Sequence, residues 1–178
     1  MKMIDDTYHW YAIYTRSRFE KQIYQNLQKT GIKSYLPLKI SKKKWSDRLK
    51  FVEEPVLRGY LFVCVSNKEY YQVLNSVGVV SYVKFSGEVA EIPEKQINDL
   101  RLFVEQMNDL VQVTNERLVK GERVRISVGP MAGLEGIIAD FRGKKRLVLS
   151  FKQLGCSFFA EIPTDQIVKT KLESATDC

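Results

Sequence analysis

The chain has 178 residues, with 28 Lys and Arg against 21 Asp and Glu, one His, three Cys and 44% apolar residues. This length suits one ordinary domain or two small ones, and the composition is typical of a folded globular protein. The longest unbroken apolar run, Tyr60 to Val65, is far shorter than the roughly 20 residues of a membrane-spanning helix. The N-terminus lacks the apolar core of a signal peptide, so we expect a cytoplasmic protein that binds no membrane.

Basic residues are concentrated in one segment of the chain. Between residues 16 and 50, eleven Lys and Arg face two acidic residues, which gives +9 where the whole chain carries only +7. A local positive field of this kind speeds encounters with phosphate backbones and makes binding sensitive to salt. The alternative is an ordinary solvated surface with a lysine-rich loop, and charge alone favours neither.

The first predicted elements are a strand and a helix. The aromatic run at residues 10–15 predicts a buried strand. Ser17 and Glu20 have the spacing of a capping box, so the helix is expected to begin near Arg18. Gly31 supplies a stop signal after the last apolar residue of the helix.

The pattern continues to residue 107 as an antiparallel sheet flanked by helices. Pro37 places the second strand at an edge or a bend, and the charged residues 41–50 predict a hairpin tip or loop. Asn67 is a candidate cap for a short helix, and Pro93 suits the start of a longer one. The predicted strands of this α+β domain are 33–40, 51–56, 60–65 and 79–85.

The chain changes character after residue 107. The apolar period fades over residues 108–119, which predicts a flexible linker. Short strands punctuated by glycine then follow, and closure into a small barrel would remove their exposed edges. These strands are predicted at 123–128, 134–141, 146–151, 157–162 and near 167, with a tail at 172–178.

No group of residues predicts catalysis. His9 is the only histidine, lies just before the first strand and has no evident Cys or Ser partner, so we expect a surface residue. The cysteines, Cys64, Cys156 and Cys178, are too scattered to hold zinc or to form a disulfide framework. The glycines between Gly129 and Gly136 are not followed by Lys and then Ser or Thr, as a P-loop requires. We therefore expect a protein that is not an enzyme and that needs no metal or cofactor.

Two stretches of sequence carry a family resemblance. Residues 54–63, with Gly59-Tyr60-Leu61-Phe62-Val63, resemble the pattern Pro-x-x-x-Gly-Tyr-x-Phe-Val that is diagnostic of the NusG-type N-terminal (NGN) domain. Residues 120–136 closely resemble a KOW motif, and residues 10–15 resemble the opening strand of the NGN domain. The positions that carry the KOW resemblance are Gly121, Val124, Gly129, Pro130, Gly133 and Gly136. The order and spacing identify the chain as a member of the NusG family of transcription factors.

This resemblance implies a domain plan. It implies an NGN-type RNA polymerase-binding domain at 1–107, a linker at 108–119, and an SH3-like all-β KOW barrel at 120–171. Leu57-Arg58 and Met131 depart from the general elongation factor. With these departures and its Lys-rich hairpin, the chain is similar to RfaH-like antiterminators and to the UpxY group that acts on capsular polysaccharide operons in Bacteroides-type bacteria.

The resemblance also implies partners and contact residues. The family docks an aromatic depression on the clamp helices of the largest polymerase subunit, and the matching positions are Tyr14, Tyr60 and Phe62. Aromatic side chains suit this role because they bury a large area at a low entropic cost, although plain core packing also explains them. The positions that match contacts with the non-template DNA strand are Arg16, Arg18, Asn26, Lys29, Lys42, Lys43 and Lys44. An ordinary solvated helix face is the alternative for Arg16 and Lys29.

The expected function is suppression of pausing or termination by a monomer, with a small-subunit ribosomal protein or Rho as the partner of the KOW domain. A general NusG-type elongation factor is one alternative. A ribosome-associated or RNA-binding KOW protein is another, because KOW motifs also occur in ribosomal proteins. The Tyr60-Leu61-Phe62-Val63 strand argues against a ribosomal protein, which has no use for it.

Overall fold

A computed structural model of the chain describes residues 6–44, 48–115, 121–141, 144–162 and 169–171. The helices are α1 (Glu20–Lys29), α2 (Asn67–Leu74) and α3 (Glu94–Met107), with 3₁₀ turns at Asn108–Leu110 and Lys152–Leu154. The first nine strands are β1 (His9–Thr15), β2 (Lys33–Tyr35), β3 (Leu38–Lys44), β4 (Leu49–Pro55), β5 (Tyr60–Val65), β6 (Val79–Tyr82), β7 (Lys84–Phe85), β8 (Glu88–Val89) and β9 (Glu91–Ile92). The later strands are β10 (Gln112–Thr114), β11 (Glu122–Ile126), β12 (Glu135–Phe141), β13 (Lys144–Phe151), β14 (Cys156–Glu161) and β15 (Lys169–Lys171).

The N-terminal half is built on an antiparallel sheet in the order β2-β5-β1-β6, with β9 also paired to β1. Side chains alternate across this sheet, so each strand serves two cores. Ile13 and Leu61 pack on the face covered by Ile23 and Leu27 of α1. The opposite face contributes Trp10, Ala12 and Phe62 to a second core that includes Ile97 and Leu100 of α3. The prediction of an antiparallel sheet flanked by helices is confirmed.

The capping-box prediction at Ser17 is wrong. Helix α1 begins at Glu20 without a side-chain cap, because the Glu20 carboxylate is buried and accepts a hydrogen bond from the Gly59 amide at 2.7 Å. A capping box does form at α2, but at Ser66 rather than Asn67. The Ser66 hydroxyl accepts from the Lys68 amide, and the Glu69 carboxylate accepts from the Ser66 amide.

The basic segment contains a long hairpin of β3 and β4, and these two strands pair with no other strand of the described residues. The predicted strand 33–40 is divided, because Pro37 separates β2 from β3. Residues 41–44 and 49–50 are strand rather than loop, with Lys42 opposite Phe51 and Lys44 opposite Leu49. The charged residues can extend in this way because the outer part of the hairpin, residues 42–44 and 49–50, is exposed to solvent.

The region predicted as a linker has structure in its first half. Asn108 begins a 3₁₀ turn, and its side-chain oxygen accepts a hydrogen bond from the Ile40 amide at 2.8 Å. Val111 is fully buried, and β10 pairs with β14 in the C-terminal sheet. The apolar side chain of Val111 therefore fixes a stretch that looked polar as a whole. Residues 116–120 lie outside the described residues.

The C-terminal half is an antiparallel sheet in the order β10-β14-β13-β12-β11-β15. Val124, Leu147 and Phe158 are fully buried within it. Four of its strands fall where the sequence predicts them. The fifth was expected near residue 167, which lies outside the described residues, and β15 is found at Lys169–Lys171. Within the described residues β10 and β15 are the outer strands and do not pair with each other, so no closed barrel is seen there; the tail 172–178 lies outside the described residues.

The two halves pack against each other. The Phe62 ring of β5 lies 6.1 Å from the Phe151 ring of β13, and both residues belong to one continuous core. Gln96 on α3 donates to the Ser150 carbonyl at 2.7 Å, and Gln153 donates to the Glu91 carbonyl at 3.3 Å. No helix among the described residues is both long and apolar enough to cross a membrane.

Candidate functional site

The three aromatic residues predicted to bind polymerase lie on one face of the N-terminal sheet. Tyr14 is directly opposite Tyr60 across the β1–β5 pair, and Ala12 is opposite Phe62. The Tyr14 and Tyr60 rings lie 4.8 Å apart. Burial raises the pKa of Tyr60, and a hydrogen bond with Tyr14 adds to this shift. The Tyr60 phenol therefore stays neutral at physiological pH, and the two rings form a paired aromatic surface.

The same face carries further residues that the sequence alone did not single out. The Tyr35 ring stacks on Phe62 at 6.1 Å, and the Arg101 guanidinium lies 4.9 Å from the Tyr35 ring. Lys33 lies 5.3 Å from the Trp10 ring. Trp10, Ala12 and Tyr14 are every second residue of β1 and so share a face, which the sequence pattern alone can predict. The approach of Tyr35 depends on the β2–β5 pairing, which the sequence pattern does not predict.

These aromatic residues differ in how accessible they are. Tyr14 is 38% exposed and Tyr60 is half-buried, whereas Phe62 is fully buried. Phe62 packs against Phe151 of the C-terminal sheet. In this arrangement the Tyr14–Tyr60 pair reaches solvent, while the Phe62 end of the aromatic face is covered by the chain itself.

The helix-side residues predicted to contact DNA are all exposed. Arg16 and Arg18 lie in the turn between β1 and α1, where Arg18 adopts a left-handed backbone with φ of 68°. Asn26 and Lys29 are three residues apart on α1 and so lie on one side of the helix. No ion pair engages Arg16, Arg18 or Lys29 within the described parts of the chain, so each presents its charge to solvent.

The three hairpin lysines are not equivalent. The Lys43 ammonium lies 2.8 Å from the Glu54 carboxylate, which also accepts a hydrogen bond from the Ser41 hydroxyl at 2.6 Å. The hydrogen bonds from Lys43 and Ser41 lower the pKa of Glu54 to about 2. Lys42 and Lys44 lie on the other face, where the described residues give them no carboxylate partner.

The KOW positions form the β11–β12 connection. Val124 is buried in β11, and the Gly133 amide donates to the Ile126 carbonyl at 2.8 Å across a turn where Gly133 has a φ of 88°. A Cβ on Gly136 would lie 2.9 Å from the Leu147 side chain, so this position has no room for a larger residue. Gly121, Gly129 and Pro130 occupy exposed positions beside the same two strands. All six residues are placed to shape the strand pair.

A cavity of about 320 Å³ lies at the end of the N-terminal sheet near His9. The His9 imidazole contacts the Glu91 carboxylate at 2.7 Å and is partly buried. Cys64 also lines the cavity, and burial raises the pKa of its thiol, which makes the thiol a poor nucleophile. No group of three or more potential metal ligands occurs in the portion of the chain that the structure describes.

Comparison with known proteins places the chain in a class. The family model NusG, described as transcription termination factor nusG, matches residues 8–101, which is just over half of the chain. The class is therefore that of transcription elongation and termination factors, which are not enzymes. The chain belongs to the NusG family, as the sequence resemblance indicated.

Relatives align with almost the whole chain. The transcription termination/antitermination protein NusG of Staphylococcus carnosus is 24% identical over 172 residues, covering 90% of this chain and 94% of that protein. The protein of the same name from Staphylococcus aureus Mu50 has the same identity and coverage. Among solved structures, Thermotoga maritima NusG matches with a TM-score of 0.48 at 18% identity, covering 90% of this chain and 96% of that one. An MjSpt4:Spt5 complex matches with a TM-score of 0.31 at 16% identity over 91% of this chain and 98% of that one.

Proposed function

We propose that this protein binds RNA polymerase through the aromatic face of its N-terminal domain and keeps the enzyme elongating. The observation that carries the proposal is the solvent-accessible Tyr14–Tyr60 pair on a domain that matches the NusG family model. The proposed target is the clamp helices of the largest subunit. Paired aromatic rings are typical anchors of protein interfaces, because they bury much area at little entropic cost.

The basic segment is proposed to hold the non-template DNA strand of the transcription bubble. Arg16 and Arg18 are exposed beside the Tyr14 end of β1, and Asn26 and Lys29 extend the basic surface along α1. Arg and Lys would hold phosphates, while the Asn26 amide is suited to a base edge. Contact with both polymerase and DNA favours the closed, elongating state of the enzyme.

The C-terminal sheet is proposed to be a small KOW-type barrel that recruits a second partner, either a small-subunit ribosomal protein or Rho. We propose further that the protein acts on particular operons, such as capsular or surface polysaccharide loci. Leu57-Arg58 and Met131 support this specialisation, because they depart from the pattern of the general factor. The general elongation factor is the second candidate, and the near full-length match to NusG proteins supports it.

Packing of the two domains has a consequence for this function. Phe62 is fully buried under Phe151, so polymerase cannot touch the Phe62 ring until the domains separate. Tyr14 and Tyr60 can make a first contact without separation. We therefore expect docking to be strongest in a form whose C-terminal domain has moved away from the aromatic face.

The test is a binding measurement on Tyr60→Ala with purified polymerase. Loss of an anchor should cost about 2 kcal/mol, or roughly thirtyfold in affinity. Tyr71→Ala is the matched control, because Tyr71 is 57% exposed on α2, away from the β1–β5 pair. Unchanged affinity of the Tyr60 variant would overturn the assigned surface. Termination assays in vitro then separate the functions, since bound protein without altered readthrough would rule out antitermination.

A further inference from the structure

The β3–β4 hairpin lies in the basic segment and carries an exposed aromatic ring to which the proposed function assigns no role. The strand register places Lys42 opposite Phe51 and Lys44 opposite Leu49, and side chains two apart in a strand share a face. Phe51 is 67% exposed and Leu49 is 60% exposed. The Lys42 ammonium lies 5.7 Å from the centre of the Phe51 ring. The described residues therefore leave a large aromatic ring open to solvent among lysines.

On the opposite face of the hairpin, one carboxylate is shared by two basic side chains. Lys43 is bound to Glu54, and Arg58 lies 3.5 Å from the same carboxylate. Glu53 shares the Phe51 face but is placed 3.5 Å from Lys21 of α1. The two faces thus differ, because Lys42 and Lys44 lie beside an exposed ring without a described carboxylate partner, whereas Lys43 on the opposite face is paired.

The root of the hairpin is braced, so this face is held in a fixed direction. The Ile40 amide donates to Asn108, and the Val56 amide donates to the Pro37 carbonyl at 2.8 Å. The Lys39 ammonium donates to the Val111 carbonyl at 3.0 Å. A preorganised surface loses less entropy on binding than a mobile loop does.

We propose that this face binds single-stranded nucleic acid, with one unpaired base stacked on Phe51 and the flanking phosphates held by Lys42 and Lys44. An exposed aromatic ring within a positive groove is how proteins bind single strands without reading sequence. A protein partner fits less well, because lysine is depleted at the centres of protein interfaces. This inference rests on the proposed contact with nucleic acid. It specifies that the ligand is an unpaired strand, that Phe51 is the anchor, and that Lys43 does not contact the strand.

The test is a fluorescence anisotropy titration of the full chain with a labelled pyrimidine oligonucleotide, an abasic strand of equal length, and a duplex. The unmodified chain should bind the single strand most tightly. Phe51→Ala should weaken binding of the single strand by about fivefold to a hundredfold and leave binding of the abasic strand unchanged. Phe51→Tyr should retain the affinity, and Phe85→Ala is the matched control because Phe85 is 54% exposed on β7.

Salt dependence then separates the two kinds of contact. Lys42→Gln should lower the slope of log affinity against log salt by about 0.7, whereas Phe51→Ala and Lys43→Gln should leave it unchanged. Equal binding of the abasic strand and the single strand by the unmodified chain would overturn the proposal. The proposal would also be overturned if the Phe51→Ala variant lost binding to phosphatidylserine vesicles but kept binding to the oligonucleotide. Because no polymerase is present, failure here is distinct from failure of the Tyr60 binding test.

Discussion

The Phe62 ring on β5 and the Phe151 ring on β13 lie 6.1 Å apart, and neither has any surface exposed to solvent. One residue belongs to the N-terminal sheet and the other to the C-terminal sheet, so their contact joins two cores into one. Separation of the domains would break this contact and expose apolar surface between them, at a cost of about 25 cal/mol for each Å². The hydrogen bonds beside this contact are therefore the simplest place to change the equilibrium between packed and separated domains.

We predict that the pair of changes Gln96→Ala and Gln153→Ala increases the population of separated domains. Each change removes one hydrogen bond between the halves, worth about 1 kcal/mol, so the two changes together should raise the population of the open form roughly thirtyfold. Backbone ¹⁵N relaxation measures this rise as faster tumbling of each domain, and affinity for polymerase should rise with it. Gln106→Ala, on the exposed side of α3, serves as the control. Unchanged tumbling of the double variant would contradict the prediction.

We predict that Glu20→Ala destabilises the N-terminal domain by about 1–3 kcal/mol, because it leaves the Gly59 amide without its acceptor in a partly buried site. Chemical denaturation followed by circular dichroism measures the loss. Glu20→Gln keeps an oxygen acceptor and should recover most of the stability. If both variants unfold at the same denaturant concentration as the unmodified chain, the bond contributes nothing.

Glu20 also shows where the sequence could and could not predict the fold. The spacing of Ser17 and Glu20 satisfied the local rule for a capping box, yet the carboxylate bonds to Gly59, a partner distant in sequence. Local patterns predicted the antiparallel sheet and the helices that flank it correctly. They could not predict a partner brought in by the turn between β4 and β5.

The candidate site shows the same division. Exposure of Lys29 follows from its place around α1, which sequence periodicity supplies. The pairing of Lys43 with Glu54 depends on the register of a hairpin whose outer part, residues 41–50, was predicted as a tip or loop. The cover over Phe62 depends on how two domains pack, and no short-range pattern records that.

We predict that Gly136→Ala destabilises the C-terminal sheet by about 1–3 kcal/mol. The new methyl group would lie 2.9 Å from the Leu147 side chain and 3.0 Å from the Val148 carbonyl oxygen, so the strands must move apart. Gly155→Asn is the matched control, because Gly155 has open space around it and Asn tolerates its left-handed φ of 64°. Thermal unfolding compares the two, and equal melting temperatures would show that β12 yields without cost.

We predict that part of the acid sensitivity of this protein arises at Glu69. Hydrogen bonds from Ser66 and then Tyr8 lower the pKa of Glu69 from its ordinary 4.5 to about 2 in the folded chain. A carboxylate with a lower pKa when folded stabilises the fold fully above its unfolded pKa, and this contribution is lost as pH falls towards 2.

Glu69→Gln should therefore lower stability at pH 7, where the cap is worth about 1 kcal/mol, and flatten the change in melting temperature between pH 4.5 and pH 2. Melting curves recorded across this range make the comparison. Glu88→Gln, on the exposed strand β8, should leave the acid-dependent slope as it is in the unmodified chain. An unaltered slope in the Glu69 variant would assign the acid sensitivity elsewhere.

The short strand β10 has a consequence for how this chain can be divided. It lies just after α3 in the sequence but belongs to the C-terminal sheet, while Asn108, just before it, holds the hairpin of the N-terminal domain. A fragment that begins at residue 120 would leave one edge of β14 open for pairing with another molecule. A fragment that ends at residue 107 would release the Ile40 amide. Recombination between relatives, in the laboratory or in evolution, should therefore succeed best when the junction falls between Val111 and Gln112, which keeps Asn108 with the hairpin and β10 with β14.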